Sequence, residues 1–274
     1  MSGNPKPLFD FGAARRASAR AARIGADRFL DSATKDGLTH RLSAVTRRFA
    51  AGLVVGEKLP EALRPFAGDW TVRQFDEQEF LGADASFDLV VSMYSLQSIN
   101  DLLGALIQIR SALKPDGLFL ATLFGGASLN ELRDSFMRAE SDISGGASPH
   151  VAPMADVRDA GTLLQRAGFA LAVADVERLT VRYTELAGLL RDLRAHGQSN
   201  ALQGRRKTFL GKRMPDAVRF HYTLNHSQDG KLLATFETLY LTGWAPHESQ
   251  QKALLPGSAR LRLSDALGTI ERKI

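Results

Sequence analysis

The stretch from Phe87 to Gly126 places the strongest constraint on how this chain can fold. It contains a short apolar segment, a helical segment over about 100–113, a Lys-Pro-Asp-Gly turn and a second apolar run over 118–124. Two apolar runs joined by an amphipathic helix are typical of a βαβ unit in a buried parallel sheet. Because ligands bind beyond the carboxyl ends of such strands, we expect residues 92–100 and 124–128 to border any active site.

Composition limits the class of protein. The chain has 274 residues, of which 44% are hydrophobic, so it can bury a substantial core. No apolar run approaches the roughly 18 residues of a membrane span, which predicts a soluble protein. The absence of cysteine excludes disulfides, thiolate metal sites and a cysteine nucleophile.

Positive charge is concentrated in two clusters. The net charge is +5, with five arginines between Arg15 and Arg28 and five basic residues between Arg205 and Arg213. Such clusters can bind phosphates or an acidic partner. Since no aromatic stacking residues are interleaved with the arginines, a solvated helix surface is favoured over a nucleic-acid site.

Several blocks of sequence give the chain a family resemblance. Phe87–Ser92, followed by Leu-Lys-Pro-Asp-Gly-Leu-Phe, resembles strands four and five of the class I S-adenosylmethionine (SAM) methyltransferases. Three further blocks are Leu123–Arg133, Gly145–Pro153 and Gly243–Gln250. They are similar to the methyltransferase-like assembly factors of respiratory complex I, relatives of the malonyl-carrier-protein methyltransferase of biotin synthesis. The last two of these blocks are the most specific.

The resemblance implies a Rossmann-like α/β fold with added helices that cover the cofactor cleft. The predicted segments are N-terminal helices over 1–49, a Rossmann-like core over 50–183, a helical insertion over 184–230, and the last strand with the C-terminal tail over 231–274. The N-terminal helices are predicted at Ala13–Leu30 and Lys35–Phe49, with Thr34 or Asp36 as N-cap of the second. Asp229-Gly230 predicts a hairpin turn before an antiparallel last strand.

The turn after the first predicted strand departs from the family pattern. A SAM site needs glycines there, because the backbone must approach the cofactor closely. The family pattern is roughly Asp-x-Gly-x-Gly-x-Gly, whereas Val54 stands at the acidic position and only Gly56 is retained. Lys58 and Pro60 occupy the positions of the later glycines. We therefore predict that SAM binds weakly or not at all.

The segment between Gly56 and Phe87 is too short for a complete fold. It has thirty residues, whereas two helices, two strands and their loops need roughly 40–50. Its pattern predicts one helix over about 59–66 and one strand over 70–75. We therefore predict an incomplete sheet of about six strands, with one strand–helix unit missing on this side.

Two acidic residues are candidates for contacting a nucleoside. Asp76 lies twenty residues after Gly56, the spacing at which a Rossmann-type fold places its ribose-binding acid. If the preceding strand is the third of the family, Glu77 is the better match to the adenine-edge acid, and we favour this interpretation. By resemblance, the candidate cofactor contacts are Gly56, Glu77 and Ser92.

Gln97 and Ser98 stand where a His-Trp pair usually stands in the family. Their presence removes a large aromatic surface from the predicted cleft. A simpler interpretation is that they cap the following helix, for which Asn100 is the more conventional N-cap.

Two histidine-containing segments are candidates for a partner-binding surface. His150 lies in the loop Gly145–Pro153, and His247–Gln250 follows the last strand. Because both segments lie at strand ends, we predict that they form one exposed rim. The predicted partner contacts are His150, His247, Glu248 and Gln250. His150 is also a candidate for proton transfer, although a lone histidine more commonly stabilises its own loop.

The sequence does not predict a metal site. His247 and Glu248 are adjacent, so in an extended backbone they do not face one ligand, and no third ligand is spaced for them. No catalytic residue is assigned, because methyl transfer depends mainly on positioning an already activated methyl group.

The resemblance leaves two functions open. We favour a methyltransferase fold with a degenerate SAM site that acts as a binding or assembly factor, by resemblance for respiratory complex I. The alternative is an active SAM-dependent methyltransferase for a protein or carrier-bound small substrate. We expect a protein partner and no nucleic acid. The expected location is the cytoplasm, or the mitochondrial matrix if the source is eukaryotic.

Overall fold

The structure, a computed structural model, describes residues 6–24, 29–75, 85–208, 211–251 and 268, and in these ranges helices cover both faces of an open mixed sheet. The helices there are α1 (Phe11–Ile24), α2 (Phe29–Ser43), α3 (Leu102–Ala112), α4 (Asn130–Ser144), α5 (Val157–Arg166), α6 (Leu186–Ala195) and α7 (Met214–Asn225). The strands are β1 (Phe49–Val55), β2 (Ala67–Arg73), β3 (Phe87–Met93), β4 (Leu113–Phe124), β5 (Ala170–Tyr183), β6 (Ser227–Gln228) and β7 (Lys231–Trp244).

The strand order is β2-β1-β3-β4-β7-β5, and the two-residue β6 pairs with β7. The pairs among β1, β2, β3 and β4 are parallel, whereas β7 is antiparallel to β4 and β5. Asp229 and Gly230 have φ values of 50° and 70°, as a two-residue hairpin turn requires. The predicted Rossmann-like α/β fold and antiparallel last strand are confirmed.

Among the described residues, the β1 side of the sheet ends at β2, so one strand–helix unit is missing on this side, as predicted. The described connection from β1 to β2 contains a single 3₁₀ helix, Glu61–Phe66, and β2 then pairs directly with β1. Pro65 lies inside this helix and has no N–H to donate, which favours a short 3₁₀ segment over the predicted longer helix. Six strands form the path of the sheet, and β6 is a short seventh. Residues 76–84 lie outside the described ranges.

Apolar side chains are buried on both faces of the sheet. On one face α3 and α5 pack against the strands, with Leu106 and Leu164 fully buried. On the other face α2 packs through Leu38 and Leu42, and α4, α6 and α7 form a second group around Tyr222. Because both faces are covered, β3 and the second half of β4 are buried almost without interruption and are mostly apolar, without the alternation of a half-exposed strand.

The second N-terminal helix differs from its prediction. It begins before Lys35, so Thr34 and Asp36 lie within α2 and do not cap it. Thr34 is buried, and its hydroxyl is hydrogen-bonded to the hydroxyl of Tyr94 at 2.9 Å. Phe49 belongs to β1 and not to the helix. The tertiary contact with Tyr94 therefore explains why a threonine lies at this position. The local sequence pattern does not reveal that contact.

The cap of α3 is also different from its prediction. The side chain of Asp101 accepts a hydrogen bond from the backbone N–H of Gly104 at 2.8 Å and is the N-cap. Asn100 instead accepts a hydrogen bond from the backbone N–H of Phe9 at 2.8 Å. Asn100 thereby joins the segment before α1 to the edge of the sheet.

The predicted helical insertion contains α6 and α7, and its irregular part contacts the N-terminal segment. Arg205 forms an ion pair with Asp10 at 2.7 Å, and Arg206 with Glu140 at 3.3 Å. These two arginines therefore lie in an irregular segment and not on a helix, and each is paired with an acidic side chain. None of the described helices combines the length and the apolar character that a membrane crossing requires.

Candidate functional site

A cleft of about 780 Å³, the main cleft, lies at the carboxyl ends of β1, β2 and β3. The turn after β1 and the segment after β3 line its sheet side. Side chains of α1 and α2 and residues 196–201 line the opposite side. The N-terminal helices and the insertion thus cover the cleft, as the resemblance implied.

Gly56 begins the turn on the floor of the main cleft. Its backbone N–H donates to the carbonyl of Arg73 at 2.8 Å, so the turn is joined to the end of β2. A Cβ at Gly56 would lie 2.9 Å from Oγ of Ser95, a contact that rotation of the serine side chain relieves.

The rest of the turn carries side chains into the cleft and leads into a 3₁₀ helix. Lys58, Leu59 and Pro60 line the cleft. By resemblance, Lys58 and Pro60 stand at positions where the family has glycines. Pro60 adopts φ −63° and leads into the 3₁₀ helix, so the turn lacks an α-helix whose first N–H groups could face an anionic ligand. The volume of the cleft is within the range of ligand sites. In the described part of the turn, the N–H of Gly56 is already bonded to Arg73 and Pro60 has no N–H to donate.

Tyr94 lies where β3 enters the main cleft. Its φ of 53° is in the left-handed region, which is strained for a residue with a side chain. Its ring stacks on Phe124 with centroids 4.4 Å apart, and its hydroxyl lies between Thr34 at 2.9 Å and Thr238 at 2.7 Å. Burial raises the pKa of Tyr94, so the hydroxyl remains protonated at neutral pH. Tyr94 therefore connects α2 to the sheet above the cleft.

A second cavity of about 260 Å³, the side chamber, adjoins the main cleft. The residues that line both cavities are Gln97, Ser98, Phe124, Gln198, Ser199 and Ala201. Oε1 of Gln97 accepts a hydrogen bond from the backbone N–H of Phe124 at 2.6 Å, so Gln97 does not cap α3. Apolar side chains of α4, α6 and the loop after α4 form most of the remaining wall.

A buried carboxylate organises the loop beside the side chamber. Glu140 on α4 has a side chain only 4% exposed. It accepts hydrogen bonds from the backbone N–H of Ser148 at 2.6 Å and from the Ser148 hydroxyl at 2.8 Å. His150 places Nε2 at 3.1 Å from the same carboxylate, and its ring stacks on Phe136 with centroids 4.2 Å apart. These contacts fix both the path of the loop and the orientation of the imidazole.

Glu140 remains ionised in this cluster. Burial alone would raise the pKa of Glu140, but the hydrogen bonds from Ser148, His150 and Arg206 lower it to about 2. At neutral pH the carboxylate therefore only accepts hydrogen bonds. The sequence offered no sign of this role, since a single glutamate on an amphipathic helix reads as a surface residue.

The three candidate cofactor contacts differ in their placement. Gly56 lines the main cleft. Ser92 is fully buried inside the sheet, does not line the cleft, and its hydroxyl has no hydrogen-bond partner among the described residues. Ser92 is therefore not positioned to contact a ligand in the cleft. Glu77 and Asp76 lie outside the described residues.

The two histidine segments do not form one rim. His150 lines the side chamber together with Phe124, at the carboxyl end of β4. His247–Gln250 lies at the opposite edge of the sheet, where Nε2 of Gln250 donates to Asp116 near the start of β4 at 2.9 Å. Since β7 is antiparallel to β4, the residues that follow it emerge at the amino ends of the parallel strands. The single-rim hypothesis is therefore wrong.

The residues of the second segment are mostly exposed. His247 and Glu248 are exposed, and Nδ1 of His247 lies 2.7 Å from Oγ of Ser249. Within the part of the chain that the structure describes, no group of three or more histidine or acidic side chains is arranged around a common point for a metal ion.

Comparison with known proteins identifies the class to which this fold and site belong. The model of the methyltransferase domain family matches residues 7–173, so the chain belongs to that family. The YcgJ protein from Bacillus subtilis superimposes with a TM-score of 0.50 at 13% identity, over 78% of this chain and 99% of that protein, which supports the fold alone.

Two curated relatives are more specific. Human mitochondrial arginine-hydroxylase NDUFAF5 is 40% identical over 201 residues, covering 73% of this chain and 58% of that protein. Malonyl-[acyl-carrier protein] O-methyltransferase of Xylella fastidiosa is 39% identical over 164 residues, covering 60% of this chain and 54% of that protein. The chain thus spans little more than half the length of these relatives. The predicted resemblance to both groups is confirmed.

Proposed function

We propose that this protein is an assembly factor for respiratory complex I that binds a protein partner and whose SAM site is degenerate. The resemblance of the blocks Gly145–Pro153 and Gly243–Gln250 to those assembly factors supports the assembly role. In a eukaryotic source the expected location is the mitochondrial matrix, in keeping with the mitochondrial relative; otherwise it is the cytoplasm.

The observation that carries the degenerate site is the turn after β1. Side chains of Lys58 and Leu59 line the cleft, and Pro60 leads into a 3₁₀ helix. SAM has a charged amino-acid end that requires hydrogen-bond partners when it leaves water. Because the N–H of Gly56 is already bonded to Arg73 and Pro60 has no N–H, that end gains too little in this turn to offset its loss of hydration.

A titration with SAM tests this part of the proposal. A ligand at 100 times its Kd raises the free energy of unfolding by ~2.7 kcal/mol, so thermal shift and calorimetry detect binding readily. We expect no saturable shift of the wild-type protein at micromolar SAM. The variant Lys58→Gly/Pro60→Gly should gain affinity, whereas Lys58→Ala, which keeps a Cβ, should not. Micromolar affinity of the wild type contradicts the degenerate site.

Deletion of the gene in the source organism tests the assembly role. We expect less assembled complex I on native gels, and recovery when the wild-type gene is returned. Ser98→Trp is a useful companion variant, because Ser98 lines both cavities and a large ring there fills their junction. Normal complex I in the deletion strain contradicts the assembly role, whatever the SAM titration shows.

An active methyltransferase is the second candidate function. The observation that favours it is the open volume of the main cleft beside the side chamber, which provides two adjoining sites. One relative acts, by its name, on a malonyl group carried by a protein, so a protein-borne substrate is the natural choice. Transfer of labelled methyl groups from SAM to proteins of the deletion strain would support this candidate, and we expect none.

A further inference from the structure

The hydrogen-bonding state of His150 follows from its contact with Glu140. The carboxylate is ionised and can only accept, so Nε2 of His150, at 3.1 Å, must carry the hydrogen that joins them. The Ser148 hydroxyl uses its hydrogen on Glu140 and can accept from the same Nε2 at 3.3 Å. An unprotonated Nε2 would place a lone pair against a negative oxygen, which is unfavourable.

When His150 is neutral, the other ring nitrogen is an acceptor. A neutral imidazole donates from one nitrogen and accepts at the other, so Nδ1 then presents a lone pair. Nδ1 has no hydrogen-bond partner among the described residues, and it is absent from their fully buried unsatisfied polar atoms. Since the side chain is 12% exposed and lines the side chamber, a ligand there can reach it.

The remaining wall limits the chemistry of such a ligand. Phe136 and Leu132 are typical of the apolar lining, and Arg194 contributes a positive charge. No acidic side chain is among the described residues that line the chamber. A cationic group would therefore find no countercharge there and would face a like charge.

We infer that the side chamber is a binding site for a group with an apolar body and an uncharged O–H or N–H donor at its tip, which donates to Nδ1 of His150. Glu140 is a positioning residue, because it holds the imidazole in the Nε2–H tautomer and fixes the direction of Nδ1. Such binding requires neither SAM nor a complex I partner, so it goes beyond the proposed function.

Three aromatic probes of similar size test the site by NMR titration of the full chain. Benzyl alcohol has an O–H donor, its isomer anisole has only an acceptor, and benzylammonium is a cation. We expect benzyl alcohol to bind about threefold to tenfold more tightly than anisole, the ratio that one net hydrogen bond provides. Benzylammonium should be the weakest, and shifts should centre on Phe136 and His150.

Two variants and a control assign the preference to Nδ1. His150→Phe keeps the stacked ring but removes the acceptor, so it should bind both isomers equally. Glu140→Gln should reduce the preference for benzyl alcohol. The amide nitrogen of a glutamine can donate to Nε2 of His150, which stabilises the opposite tautomer, with the hydrogen on Nδ1. His226→Phe is the matched control, since its Nε2 also lies 2.9 Å from a carboxylate, that of Asp134, outside the chamber. It should retain the full preference.

The wild-type protein provides a test that does not depend on the folding of a variant. Nitrogen-15 spectra of the histidine rings should show His150 protonated on Nε2 and unprotonated on Nδ1 at neutral pH. The opposite tautomer overturns the inference. Equal affinity for the two isomers, tighter binding of the cation, or shifts confined to residues outside the chamber overturn it as well.

Discussion

The turn after β1 and the loop after α4 both line cavities at the carboxyl edge of the sheet, but they are held differently. Glu57 and Lys58 in the turn are exposed, and the carboxylate of Glu57 accepts a hydrogen bond from the hydroxyl of Ser18 on α1. In the loop, Ser148 and His150 contact a buried carboxylate. The loop is therefore preorganised by burial, whereas the turn is shaped mainly by its backbone.

The difference indicates where a ligand can be recognised in this molecule. Recognition requires polar groups whose positions are fixed before binding, because ordering them afterwards costs conformational entropy. The side chamber meets that condition through Glu140. The floor of the main cleft retains space but few fixed donors. Loss of the glycine pattern in one region thus coexists with a well-ordered polar cluster in the other.

Removal of the carboxylate should show the contrast most strongly. Glu140→Ala leaves the backbone N–H of Ser148 without its partner and leaves Arg206 unpaired, so we expect a loss of about 3–4 kcal/mol in the free energy of unfolding. Glu57→Ala, the exposed counterpart in the turn, should change it by less than about 0.5 kcal/mol. Urea denaturation measures both, and similar losses would contradict the contrast.

The stability of the loop should also depend on pH in the acid range. The pKa of Glu140 is about 2 in the folded protein against an ordinary value of 4.5. Because the folded pKa is the lower one, the carboxylate stabilises the fold above pH 4.5, and this contribution is lost as the pH falls towards 2. We expect the wild type to lose up to about 3 kcal/mol more than Glu140→Gln over this window. If the free energy of unfolding falls in parallel with pH for the two proteins, Glu140 does not contribute to the acid dependence of stability.

Replacing the two histidines should produce a smaller difference in the free energy of unfolding. His150→Ala removes both the ring stacked on Phe136 and the hydrogen bond to Glu140, so we expect a loss of about 1–2 kcal/mol. His247→Ala alters an exposed side chain and should cost less than about 0.5 kcal/mol. Thermal and urea unfolding of both variants check this order. A larger loss in the free energy of unfolding for His247→Ala than for His150→Ala would contradict the placement of His150 in a packed cluster and of His247 on the surface.

Much of the fold could be predicted because the decisive signals are local. The apolar runs at β3 and β4 and the amphipathic helix between them indicate a parallel sheet from the local sequence alone. Boundaries were less certain, since Thr34 looks like a cap but is buried against Tyr94. The single-rim hypothesis is wrong because the carboxyl ends of parallel and antiparallel strands lie at opposite edges of the sheet. The predicted antiparallel direction of the last strand already implied the opposite edge for His247.

The side chamber could not be predicted from local signals. Its residues Gln97, Phe136, His150 and Arg194 are far apart in the chain and carry no common spacing. Glu140 likewise has no motif, because its role depends on burial and on donors that lie 8, 10 and 66 residues further along the chain. Sequence reasoning identified His150 as a candidate for proton transfer or partner contact but could not decide which of its nitrogens is available.

Two properties of this protein follow from the order of residues alone. Pro60 cannot donate a backbone hydrogen bond anywhere, and the thirty residues between Gly56 and Phe87 are fewer than the roughly 40–50 that two strands and two helices typically need. Both follow from the covalent chain, before any tertiary contact forms. The charge state of Glu140, the orientation of His150 and the edge at which each histidine lies depend on packing between distant segments. Only the tertiary structure decides them, because burial and hydrogen bonding act through space and not along the chain.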